Sequence, residues 1–97
     1  AWVRLVWTAG TPATTGSFNV ASLTDTGTGI VTVNLTVAFS AGTSYSVALG
    51  YGSMDAATQQ QLFSSGSNVG SFILNYYSNG VATDNTNRVE AFACGDQ

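Results

Sequence analysis

Ile30-Val31-Thr32-Val33-Asn34-Leu35-Thr36-Val37-Ala38-Phe39 is the stretch on which the fold turns. Val31, Val33, Leu35, Val37 and Phe39 alternate with polar or small residues. Successive side chains of an extended chain point to opposite faces, so this period of two predicts a strand with one buried face. Tyr45, Val47, Leu49 and Tyr51 repeat the pattern after Ser40-Ala41-Gly42-Thr43, a link of hairpin-loop length and composition, and the two strands are expected to pair. Val31, Val33, Leu35, Val37, Phe39, Val47 and Leu49 should then share one core.

Working outward, Phe18 to Leu23 forms a shorter strand, and Thr24 to Gly29 supplies glycines for a reversal. Trp2 to Trp7, Gly70 to Tyr77 and Thr86 to Cys94 are rich in strand formers. About six strands with short links predict an all-β domain over residues 1–97, a small antiparallel β-sandwich or meander. Helix signal is confined to Asp55 to Phe63, where Asp55 can cap a turn or two. Residues 52–69 are therefore expected to be one long loop. A second loop over Ser78 to Asn85 carries the turn pair Asn79-Gly80.

The 97 residues are 44% hydrophobic and only 7% charged, a balance that argues against disorder. The positive charges are Arg4 and Arg88, against five carboxylates, for a net charge of −3. Nucleic acids and anionic membranes are bound through basic stripes, so neither is an expected partner. No run approaches membrane-span length, and no membrane insertion is expected. A chain opening on Ala1-Trp2 rather than methionine is expected to belong to a processed or longer polypeptide. Lysine is absent, and lysine is a common guard of exposed strand edges, so the edges are expected to be covered either within the fold or by neighbouring copies; with the small size and low charge, a homo-oligomer, most simply a homotrimer, is expected.

The usual nucleophile chemistry is missing. Without histidine or lysine, a serine or cysteine lacks its ordinary general base, and zinc lacks its commonest nitrogen ligand. A glycosidase needs two carboxylates at a set separation. Asp84 and Glu90 are the candidates, but Arg88 and Glu90, two apart on a strand, are more simply an ion pair, and Asp25 and Asp84 fix turns. The chain is expected to be no enzyme, with no catalytic residue, metal or cofactor. Asp25 to Gly29 offers too few carboxylates for tight calcium binding, and Asn34-Leu35-Thr36 matches the glycosylation acceptor pattern but lies inside a strand. Cys94 is expected to be a small buried hydrophobe. Adjacent Tyr76 and Tyr77 must face opposite sides of their strand. The expected contact surface is the 52–69 loop with its flanks, with Tyr51, Met54, Gln60, Leu62 and Phe63 as candidate binding residues and Tyr77 beside them, because apolar and aromatic loop residues suit a partner.

The segment Ser17-Phe18-Asn19-Val20-Ala21-Ser22-Leu23-Thr24-Asp25-Thr26-Gly27-Thr28-Gly29, followed by Val31-Thr32-Val33-Asn34, resembles the C-terminal region of tailed-bacteriophage tail fibres. There, a strand ending in Asn-Val-x-Ser-Ile/Leu-Thr-Asp is followed by Gly-Thr-Gly, a Thr-Val-Asn strand, a Tyr-containing strand, a variable loop and an Arg-Val strand. Tyr45 to Leu49, residues 52–69 and Arg88 to Phe92 take the later places, and Ala1-Trp2-Val3 resembles the opening of the unit. Ile30-Val31 stands where family members often have Asp-Tyr. The resemblance implies a β-sandwich-like, trimeric unit of a receptor-binding protein, in the virion and extracellular once assembled. Its partners would be its own copies, other virion proteins and a host-surface glycan or protein. It supplies no binding residues. The rival expectations are a structural domain of a head fibre, capsid decoration or tail hub, and a glycan-cleaving enzyme.

Overall fold

The computed structural model describes residues 1–41, 45–51, 60–78, 81–82 and 89–95. Among these are nine strands: β1 (Trp2–Thr8), β2 (Thr11–Phe18), β3 (Val20–Gly27), β4 (Ile30–Leu35), β5 (Tyr45–Tyr51), β6 (Gln60–Asn68), β7 (Ser71–Ser78), β8 (Val81–Ala82) and β9 (Val89–Gly95). They form two antiparallel sheets, ordered β2-β1-β9-β5 and β3-β4-β7-β6, with β8 also paired to β7. The architecture is all-β and sandwich-like.

Alternation on the central strands explains why the sheets stack. Val3, Leu5 and Trp7 of β1 and Val89, Ala91 and Ala93 of β9 are buried, as are Val31 and Val33 of β4 and Phe72, Leu74 and Tyr76 of β7. Each set has period two, so each sheet turns one apolar face to the other, and these residues with Phe39 form a common core. Apolar burial is the main driving force for this arrangement. The indole N–H of Trp7 is buried without a hydrogen-bond partner among the described residues.

The expected β4–β5 hairpin does not form: β4 pairs with β3 and β7, while β5 is the far edge of the other sheet, beside β9. The cause lies just past Leu35. Backbone N–H groups of Leu35, Thr36 and Phe39 donate to the carbonyls of Gly70, Asn19 and Val69, drawing the chain off its strand and across the end of the sandwich. Phe39 then enters the core and stacks on Tyr45, with ring centroids 4.0 Å apart. The Tyr45 hydroxyl shares its proton between the carbonyls of Asn68 at 2.7 Å and Ser71 at 2.9 Å, tying β5 to the opposite sheet. Because regular alternation stops at Leu35, Val37 faces solvent and leaves the predicted core, while Leu35, Val47 and Leu49 pack half-buried against it.

Four further corrections follow from tertiary pairing. Gln60–Asn68, expected as helix and loop, is a strand, because it satisfies the second backbone edge of β7. Thr11–Phe18 is a strand with scarcely any apolar signal, held as an edge by β1 and carrying Pro12 where an edge permits it. Cys94 is exposed, since the buried parity of β9 belongs to Val89, Ala91 and Ala93. The predicted strand at Phe18 to Leu23 is broken by Asn19, whose φ of 59° passes the chain between sheets, so Phe18 ends β2 and Val20 starts β3.

Candidate functional site

The sandwich has two unlike ends. β1 and β2 turn through Ala9 and Gly10, at φ of 51° and 83°, with Thr8 opposite Thr11. The β3–β4 turn, with Gly29 at φ 70°, lies at the same end, where Gly10, Asp25, Thr26, Gly27 and Thr28 line one polar cleft of about 350 Å³. Ala1 and Gly95 lie at the other end: Ala1 exchanges backbone bonds with Ala93, and Gly95 is opposite Tyr45. Strands of seven residues at ~3.3 Å per residue separate the two ends by roughly 20–25 Å.

Of the residues expected to make contact, Met54 lies outside the described residues. Tyr51 closes β5 opposite Val89, and Gln60, Leu62 and Phe63 stand on β6 opposite Ser78, Tyr76 and Asn75. The expected loop is thus in part a strand, and Tyr51 and Gln60 are strand positions at the end carrying the turns. Tyr76 is in the core and Tyr77 is half-buried on the opposite face, as their adjacency requires. Arg88, Asp84 and Asn79-Gly80 lie outside the described residues, although Ser78 stands opposite Val81 across the last pair. Asn34 is occupied structurally, its amide donating to Ser22 and Thr24 hydroxyls across the outer face of β3 and β4.

Reasoning from the sequence missed the surface with the most concentrated chemistry, the outer face of the β2-β1-β9-β5 sheet. Strand register places Phe18, Trp2, Phe92 and Ala48 in one row across all four strands. Phe18 is 63% and Phe92 45% exposed, an unusual display for a chain with so few charges to spend on its surface. The next row along the strands is Gly16, Arg4, Glu90 and Gly50. Arg4 Nε donates to Glu90 Oε1 at 2.9 Å, so Glu90 finds a cation on the neighbouring strand. Such a partly exposed pair contributes only about 0–1 kcal/mol to stability, and its main effect here is to fix two polar groups in place. Trp2, Val3, Arg4, Glu90 and Phe92 line a depression of about 220 Å³ between the rows. The available signal was the parity of Trp2, Arg4, Glu90 and Phe92, but pairing β1 with β9, strands from opposite extremities of the sequence, is needed to bring them together.

Two edge strands carry a second surface. Pro12, Ala13, Thr14 and Ser17 of β2 and Val20 to Leu23 of β3 line an open groove of about 240 Å³ along the side of the sandwich. Among the described residues no three His, Cys, Asp or Glu side chains cluster as metal ligands, and no helix is long and apolar enough to cross a membrane. No family model matches the chain, and no curated protein or solved structure gives a significant match.

Proposed function

We propose that this chain is a non-catalytic adhesion domain of the tail-fibre type, carried in the virion as a homo-oligomer, most simply a trimer, and presented to a host surface. The observation that carries the reading is the aromatic row Phe18, Trp2 and Phe92, in which Phe18 and Phe92 are exposed and Trp2 is half-buried, beside a fixed Arg4–Glu90 pair on the same sheet face. Aromatic side chains exposed together offer a partner a large apolar area at low cost in side-chain entropy. The resemblance of Ser17 to Asn34 to tail-fibre sequences points the same way.

Self-association is supported by the edges. β2 and β3 offer Thr, Ser, Ala and Gly with Asp25 as their lone charge, so little opposes a neighbouring copy along the groove they line. Linked copies would turn weak contacts into firm attachment without further chemistry. Antibody labelling in electron micrographs should place the chain on the tail fibre of its virion, and the purified domain should compete with that virion for adsorption to its host. Labelling confined to the head or capsid, with no competition, would replace this reading by the structural one.

A further inference from the structure

The two sheets end in the edge strands β2 and β5 on one and β3 and β6 on the other. Three of these edges are irregular. The register shifts in β2 around Thr15, in β3 around Ala21 and Thr26, and in β6 after Ser65, and β2 also carries Pro12, which has no N–H to give. Bulges and proline turn an edge away from further pairing, so a copy lodged in the β2–β3 groove would meet side chains rather than a ladder. β5 has no such guard. Its seven residues, Tyr45-Ser46-Val47-Ala48-Leu49-Gly50-Tyr51, contain no proline and no charge, and they pair with β9 without a register shift.

The β9 ladder fixes which backbone groups β5 leaves open. Ala93 exchanges both of its backbone bonds with Ala1, so its N–H and C=O point to the β1 side. Successive residues of an antiparallel strand turn these groups to opposite sides, which directs those of Phe92 and Cys94 to β5, where Ala48 and Ser46 stand opposite. Val47 and Leu49 therefore aim their N–H and C=O away from β9, and among the described residues no strand takes them up. Backbone groups of this kind are strong hydrogen-bonding sites.

We propose that β5 pairs antiparallel with β5 of a second copy about a two-fold axis at Ala48, joining the two four-stranded sheets into one. The strand is its own complement. About that axis Val47 stands opposite Leu49, Ser46 opposite Gly50 and Tyr45 opposite Tyr51, so that the apolar Val47 and Leu49 meet on the core side and small residues meet on the outer side. The open groups of Val47 and Leu49 then bond to those of Leu49 and Val47 in the other copy. No like charges oppose the contact, since the strand has none. Ala48 also ends the row Phe18, Trp2 and Phe92, so the axis runs two aromatic rows into one across both copies. The inference goes beyond the adhesion reading and does not rest on it: a two-fold contact doubles whatever unit carries it and cannot close a ring of three.

The test is the mass of the whole chain by light scattering over a range of micromolar concentrations. Ala48 is exposed and is its own counterpart across the axis, so Ala48→Lys or Ala48→Glu sets like charges face to face without touching the core. Expected is a parent mass that halves in either variant and returns when the two variants are mixed. In a Cys94→Ser background, Ala48→Cys should cross-link to twice the chain mass on mild oxidation, because facing residues of a non-hydrogen-bonded pair have Cα atoms about 4.5 Å apart, within disulfide reach. Ser46→Cys, whose counterpart is Gly50, should stay uncross-linked. A parent that remains a single chain overturns the proposal and leaves the edge to a different partner. A mass that Ala48→Lys does not change would place self-association on another surface, and a loss that mixing does not restore would be damage to the fold; either overturns it, as does equal behaviour of the two cysteine variants. A chain that pairs in this way yet adheres to no bacterial envelope would sink the adhesion reading alone.

Discussion

Asn19 joins the two sheets by three hydrogen bonds and a left-handed backbone, and its replacement separates those contributions. Its side-chain amide donates to Val37 O at 3.0 Å, its Oδ1 accepts from Val37 N–H at 2.7 Å, and its own carbonyl accepts from Thr36 N–H at 3.2 Å. Asn19→Ala removes the two side-chain bonds, each worth about 0.5–1 kcal/mol at an exposed site. It also places a Cβ without a compensating polar group at φ 59°, for about 1–2 kcal/mol more. The expected loss is about 2–4 kcal/mol. Asn19→Gly loses the same bonds and is free of the φ cost, but gains unfolded-state freedom worth about 0.5–1 kcal/mol, for a total of about 1.5–3 kcal/mol. Urea unfolding at fixed protein concentration, followed by tryptophan fluorescence, measures both. An alanine variant within about 0.5 kcal/mol of the parent, or a glycine variant costlier than alanine, would refute the account of this joint.

Phe72 is fully buried between the sheets, so Phe72→Ala should cost about 3–5 kcal/mol in the same assay, whereas Val37→Ala, at a 55% exposed position, should stay within about 0.5 kcal/mol. Leu35→Ala, at a half-buried position, should fall between them, at about 1–2.5 kcal/mol rather than the full core cost. Gly66→Ala combines φ +57° with a Cβ only 2.7 Å from Ile73 Cδ1 and should cost about 1–3 kcal/mol; part should return in an Ile73→Val background, which lacks Cδ1. Cys94 is exposed, so a maleimide should label it in the native state at a rate close to that in denaturant; protection by a large factor would contradict its position on the outer face of β9.

What the residues alone determined is the all-β class and the faces of strands whose alternation is regular. Val31 and Val33 are buried because a strand of that pattern has one apolar side whatever it pairs with, and Tyr76 and Tyr77 part for the same reason. The turn near Gly29 was equally local, since a reversal there draws on glycine's freedom at positive φ. Partners were not local. β4 and β5 looked like a hairpin because they are neighbours with matching periods, yet the carbonyls of Asn19, Val69 and Gly70 capture the chain after Leu35, and no pattern between residues 30 and 51 records them. Thr11–Phe18 and Gln60–Asn68 became strands because β1 and β7 had unfilled backbone edges, a demand that overrides weak propensity. The candidate site belongs to the same class: Trp2, Arg4, Glu90 and Phe92 meet only when the two extremities of the sequence pair as β1 and β9, and strand register is a property of the folded chain, decided by which apolar faces close on one another.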